Sequence, residues 1–384
     1  MSGEFPSKLP RVGTTIFTVM SRLAQQHGAI NLSQGFPDFS PPARLVERVT
    51  HHMQAGLNQY APMPGWIPLR EAIAGKARSL YGRSVQPESE ITITSGATEA
   101  IFAAVHAVAR AGDDVILLEP AYDSYEPACE LAGARVVRVP LRRPDFSVDW
   151  DRVRDVLTAR TRLIIVNSPH NPSGAAFGQA DLDALAEIVD GSGVFVLGDE
   201  VYEHMVFDGA PHASLLRNDV LYARSFVVSS FGKTYHATGW KIGYCIAPVS
   251  LTNEFRKVHQ FVQFSVATPL QAAIADFLVE CPQHHLELPA FYQQKRDYFL
   301  GILAQTRLVA RPAAGTYFQL ADYSAVSNRL DVEFVERLTV ESGVAAIPVS
   351  VFCTAAAASE RLIRFCFAKD TATLDAAGER LRKI

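Results

Sequence analysis

The chain has 384 residues, too many for one small domain and suited to two domains or to one large one with an appendage. Hydrophobic residues make up 48%, enough for a sizeable core, and a formal net charge of −4 with no basic cluster argues against nucleic-acid or anionic-membrane partners. Cys129, Cys245, Cys281, Cys353 and Cys366 are odd in number and lack Cys-x-x-Cys spacing, so they read as reduced thiols of a cytoplasmic protein. Met1 to Arg11 shows no cationic stretch followed by an apolar signal core, and no window approaches the roughly 18 apolar residues of a membrane span.

In chain order, the segment up to about Gln34 has no core of its own and is expected to pack on a distant part of the chain. A strand at Ile91 to Thr94 precedes a helix over Thr98 to Arg110, where Ile101, Ala104, Val105 and Val108 share one face and Gly112 follows as a stop. Short apolar runs at Val115–Leu118, Val136–Val139, Leu163–Val166, Val194–Leu197 and Phe226–Ser229 read as buried strands. Between two of them, Asp181 to Val189 places Leu182, Leu185, Ala186 and Val189 on one helical face. This alternation predicts an α/β fold, a mostly parallel sheet with helices on both sides. From about Pro282 the pattern changes to a smaller α+β region. Helices are predicted at Phe291–Leu303, Asp331–Ser342 and Thr371–Lys383, with a strand at Thr316–Leu320. The expected division is a large domain over 35–281 and a small one built from 1–34 with 282–384.

Several fragments carry chemistry. In Val228-Ser-Ser-Phe-Gly-Lys-Thr-Tyr235 a lysine, Lys233, follows a strand in a glycine-containing turn; by itself it would be a surface lysine. A second cation, Lys241, follows between Gly239 and Gly243, which let backbone approach a ligand. Asp199 ends the run Val196-Leu-Gly-Asp199, where parallel sheets place ligand-binding groups, although a helix cap is an equal reading. Tyr202, three residues on, is either a core tyrosine or part of the same site. Asn167 to Gly174 reads as a shaped loop or a plain turn, and His170 within it carries no signal as a base or metal ligand. Ser95-Gly96-Ala97-Thr98-Glu99 opens a helix with small residues, giving an anion site, a cap, or both. Arg364, inside the apolar run Leu362 to Phe367, needs an anionic partner, either an internal carboxylate or that of a substrate. No residue is assigned to a metal.

The ordered set of fragments resembles the class I/II aminotransferases among the fold-type I pyridoxal 5′-phosphate enzymes, over nearly the whole chain. The fragments are Gln34-Gly-Phe-Pro-Asp-Phe39, Asn58-Gln-Tyr60, Ser95-Gly-Ala-Thr98, Asn171-Pro-Ser-Gly174, Asp199-Glu-Val-Tyr202, Ser230-Phe-Gly-Lys233 and Arg364. Within the family, Asp199-Glu-Val-Tyr-Glu-His204 is most similar to the methionine aminotransferase branch, with the kynurenine aminotransferase and cysteine-conjugate β-lyase branch nearby. The resemblance implies pyridoxal 5′-phosphate held on Lys233 as a Schiff base, with Lys233 later carrying the proton between carbon atoms. It implies Asp199 against the pyridine nitrogen, Tyr202 and Asn171 at the ring's phenolic oxygen, and Tyr122 stacked on the ring. Gly96, Ala97, Thr98, Ser230 and Lys241 would hold the phosphate. Many relatives have arginine where Lys241 stands, and lysine keeps the charge but loses the fork. Tyr60 would reach the phosphate of a neighbouring subunit in a homodimer with shared sites. Arg364 and Asn171 would bind the substrate carboxylate, Gly35 would let the N-terminal loop close, and Phe36 would line the pocket.

The activity implied is transfer of the amino group of a neutral amino acid, methionine or aromatic, to a 2-oxo acid. Ile16, Phe17 and Phe36 agree with an apolar pocket. A β-lyase would use the same lysine. A non-catalytic regulator on this fold would carry a DNA-binding appendage, and none is seen before Gln34.

Overall fold

The strands, in chain order, are β1 (Ile30–Asn31), β2 (Ile91–Thr94), β3 (Asp114–Glu119), β4 (Arg135–Pro140), β5 (Thr161–Asn167), β6 (Phe195–Asp199), β7 (Ser225–Ser230), β8 (Gly243–Ile246), β9 (Phe318–Asp322), β10 (Val344–Ala345), β11 (Ile347–Pro348) and β12 (Leu362–Cys366). This computed structural model describes residues 6–354 and 361–384. Strands β2 to β8 form one sheet in the order β2-β8-β7-β6-β5-β3-β4. Pairs among β3 to β7 are parallel, as the alternation predicts, while β8 runs antiparallel to both β7 and β2. Only residues 231–242 separate β7 from β8, and most of them form two short helical turns, which leaves no crossover helix to return the chain in parallel.

Both faces of this sheet are covered. Ile116, Ile164, Val166, Val196 and Val227 point into one core, with Leu69, Ile73, Leu182 and Leu185 packed on them. Val115, Leu117, Leu163, Ile165, Leu197 and Val228 point the other way, onto Ile101, Ala104, Val105 and Val108 of the helix Gly96–Val108. Burial on both sides explains why these strands read as continuous apolar runs.

A second sheet, β11-β12-β9, is antiparallel. Its core holds Phe299, Ile302, Val335, Leu338, Ile363, Phe365 and Leu374. The N-terminal segment adds Met20 and Leu32 to that core, and β1 pairs with β10. Two predicted elements differ. The helix predicted from Phe291 starts at Gln283 and runs through Pro289. The strand predicted from Thr316 starts at Phe318, because Thr316 has a φ of 67°, a left-handed conformation no strand accepts. Cys129, Cys245, Cys281 and Cys366 are free thiols. Among the described residues, no helix is long and apolar enough to cross a membrane.

Candidate active site

Parallel strands present their carboxyl ends along one edge, and here that edge carries the polar residues. Asn167 ends β5 beside Asp199 at the end of β6, and Ser230 ends β7 beside Gly243. The helix Gly96–Val108 begins at the same edge, after β2. A cavity of about 300 Å³ opens there. Gly35, Gly96, Ala97, Thr98, Tyr122 and Asn171 line it, together with Asp199, Tyr202, Ser230, Lys233, Lys241 and Arg364. Two sequence candidates lie elsewhere. Phe36 is half exposed, with Lys369 Nζ 4.9 Å over its ring. Tyr60 is 81% exposed, its ring against Phe264. Of the three residues weighed for an apolar pocket, Phe17 lines the cavity, Ile16 lines an adjoining cleft and Phe36 lines neither.

Asp199 is buried, and burial lifts its carboxyl to about 6. Its Oδ2 accepts from the hydroxyl of Tyr125 at 2.6 Å, and its Oδ1 from the amide of Val201 at 3.3 Å. Tyr125 escaped the sequence reading; its one signal is its place three residues after Tyr122. Asn167, also missed, donates from Nδ2 to the Asp199 carbonyl at 2.8 Å and accepts from the Asn171 amide at 2.8 Å. It therefore locks two loops of the site together.

Lys233 lies in the short helix Phe231–Thr234 directly after β7. Its Nζ donates to the hydroxyl of Tyr317 at 3.0 Å and to the Gly35 carbonyl at 3.2 Å. Burial lowers its ammonium to about 8, so a neutral, nucleophilic amine is accessible near neutral pH. The hydroxyl of Tyr202 is buried, and burial pushes its pKa upward.

Arg364, on β12, is 1% exposed. Its Nη1 donates to Asn171 Oδ1 at 2.6 Å and its Nη2 to the Ser33 carbonyl at 3.1 Å, while Nε has no partner. The guanidinium stacks 3.9 Å from the centre of the Phe318 ring. Among the described residues no carboxylate pairs with it, so of the two partners the sequence left open, an internal acid is not seen. A buried cation facing a cavity without its counter-ion suits a bound carboxylate.

At the opposite end, a methyl placed on Gly96 would lie 3.2 Å from Lys241 Nζ, so that ammonium stands over the first residue of the helix. The first amides of a helix lack intrahelical acceptors. With Ser230 and Thr238 beside them they make an anion cradle. His170, by contrast, is structural. Its ring nitrogens pair with Ser173 Oγ at 2.6 Å and the Pro120 carbonyl at 2.9 Å, and burial lowers it to about 4.

A carboxylate, an amine, an anion cradle and an unpaired guanidinium around one cavity form a coherent chemistry. Comparison with known proteins agrees. The family described as aminotransferase class I and II matches residues 27–381. A methionine aminotransferase of Escherichia coli is 56% identical over 378 residues, covering 98% of each chain. A probable N-succinyldiaminopimelate aminotransferase of Mycobacterium tuberculosis is 41% identical, over 98% of this chain and 97% of that one. A solved structure from Escherichia coli, described with a methionine aminotransferase function, superposes with a TM-score of 0.97 at 55% identity, over 99% of this chain and all of that one. The chain belongs to the aminotransferase class I and II family. It is a transaminase, and its cofactor is pyridoxal 5′-phosphate.

The residues present fit that cofactor. The cradle of helix amides, Ser230 and Lys241 suits a phosphate. The buried Asp199, with no ion pair among the described residues, suits a protonated ring nitrogen. Lys233 supplies the amine that an aldehyde requires.

Proposed function

We propose that this enzyme takes its amino group from a neutral amino acid, methionine foremost and aromatic ones also, and passes it to a 2-oxo acid. The observation that carries the reading is Arg364, buried and without a counter-ion among the described residues, beside the rings of Phe17 and Phe318. Lys241 sits over the anion cradle, which leaves Arg364 as the cation for one substrate carboxylate. A second carboxylate on the substrate would be desolvated without a partner. The 56% identity to a methionine aminotransferase supports the same choice.

Pyridoxal 5′-phosphate, when bound, supplies the electron sink that lets a bond at the substrate's α-carbon break. Lys233 would hold it covalently at rest, and the freed Nζ would move the proton from the substrate's α-carbon to the cofactor's C4′. Asp199 would keep the ring nitrogen protonated, since pairing with a cation would relieve its burial. Tyr202 and Asn171 would hydrogen-bond the ring's phenolic oxygen, and Tyr122 would pack against the ring. Gly96, Ala97, Thr98, Ser230 and Lys241 would hold the phosphate. Asn171 steadies Arg364 against the carboxylate, and Gly35 gives the N-terminal loop room to close with Phe36 at its edge.

The working unit is a cytoplasmic homodimer in which Tyr60 of each subunit completes the other's phosphate site. Exposed Tyr60, Phe261, Val262 and Phe264 form an apolar patch that supports association. The large domain spans 35–281, and 1–34 joins 282–384 in the small one.

Borohydride reduction of the holoenzyme followed by peptide mapping tests the attachment, with the label expected on Lys233. A panel of amino acids with one 2-oxo acid tests the pocket by kcat/KM. Aspartate outperforming both methionine and phenylalanine would overturn the pocket reading.

A further inference from the structure

Tyr317 is fully buried and stands between two groups from distant parts of the chain. Its hydroxyl donates to the Gly35 carbonyl and accepts from Lys233 Nζ at 3.0 Å, while Nζ also reaches that carbonyl at 3.2 Å. The three atoms close a triangle. Two sides of it are rigid. A methyl on Gly35 would lie 2.8 Å from the Phe318 ring, so the loop is already seated. The Tyr317 ring packs against Tyr202 at 5.2 Å and Tyr292 at 5.7 Å between centroids, so it cannot follow the lysine.

A neutral amine has two hydrogens and one lone pair. With one hydrogen given to the Tyr317 hydroxyl and the other to the Gly35 carbonyl, only the lone pair remains to take up a proton. We propose that Tyr317 is a positioning residue for Lys233: with the Gly35 carbonyl it docks the amine whenever that amine is free of covalent attachment, and so fixes the direction in which Nζ accepts its proton. This rests on the reading of Lys233 as the attachment residue.

The charged and titratable groups facing Nζ are Asp199 from β6, Tyr202 beyond it, Lys241, the Arg364 and Cys366 side chains of β12, and Tyr317 itself. Of these, Tyr317 gives Nζ a hydrogen-bond acceptor. An acceptor favours the ammonium over the amine, so its loss lowers the lysine's pKa.

The test uses the Tyr317→Phe holoenzyme with its cofactor in the aminated form, where Lys233 is unattached. Trace acetylation across pH, quantified on the Lys233 peptide, reads the amine's pKa. We expect a fall of about one unit relative to the unsubstituted enzyme. We also expect kcat to fall on the order of tenfold with donor KM little changed. An unchanged pKa and kcat, with borohydride still labelling Lys233, would overturn the docking role alone. A label on another lysine would overturn the attachment reading and this proposal with it. Should the variant not fold, tyrosine-labelled wild-type enzyme serves instead. The Tyr317 ring resonance must move when Lys233 passes from attached to free, and an unmoved resonance overturns the proposal.

Discussion

The hydroxyl of Tyr125 donates to Oδ2 of Asp199 at 2.6 Å, and among the described residues this phenol and the Val201 amide are the hydrogen-bond donors to the buried carboxylate. That support is incomplete, and stability records the deficit. Burial raises the carboxyl from 3.8 to about 6. A raised folded-state pKa means that the group's stabilising contribution is complete below the unfolded value and is lost as pH climbs through the folded one. Above about pH 6 the cofactor-free protein therefore carries a penalty of about 2–3 kcal/mol, some two pKa units. Asp199→Asn removes the titration. The cofactor-free variant should melt several degrees above wild type at about pH 8 and together with it at about pH 4, while transamination falls by orders of magnitude. Melting curves that coincide across that range would sink the argument.

Arg364→Lys tests the grip on the substrate. Lysine retains the charge but cannot span Asn171, the Ser33 carbonyl and a carboxylate in one plane. Loss of a charge-assisted pair corresponds to a rise of about 10- to 100-fold in KM for both the amino acid and the 2-oxo acid. The borohydride label on Lys233 should persist. A variant with wild-type KM for both substrates would show that the carboxylate binds elsewhere.

Tyr60 tests the assembly. Its exposed ring contributes nothing to the cavity of its own chain. Tyr60→Phe should weaken cofactor retention and turnover. Mixing that variant with Lys233→Ala should restore part of the activity, because one site of the mixed dimer has both residues intact. A fully active monomer in sedimentation would contradict the shared site.

Much of this was legible in the sequence because each strand-end residue follows an apolar run long enough to be read: Asp199 after Val196-Leu197, Lys233 just beyond Phe226–Ser229. What stayed hidden depends on contacts between segments far apart in the chain. Tyr125 and Tyr317 are ordinary aromatic residues in sequence, and only folding brings one to Asp199 and the other to Lys233. The antiparallel turn of β8 was hidden for a different reason: Tyr244-Cys-Ile246 is as apolar as its parallel neighbours, and composition carries no direction. The early start of the helix at Gln283 was masked by Pro289, which local propensity reads as a stop although packing against the second core overrides it.

The hydrogen bond from Arg364 to Asn171 joins a strand of the small sheet to a loop of the large one, across 193 positions of chain. The enzyme's mechanical tolerance is consequently set at that seam and not within either sheet. A slip of one ångström there would part guanidinium from amide while every strand pairing stayed whole. Divergence that each core absorbs separately can thus be invisible to folding and ruinous to turnover, and the two sheets are bound to drift as a pair.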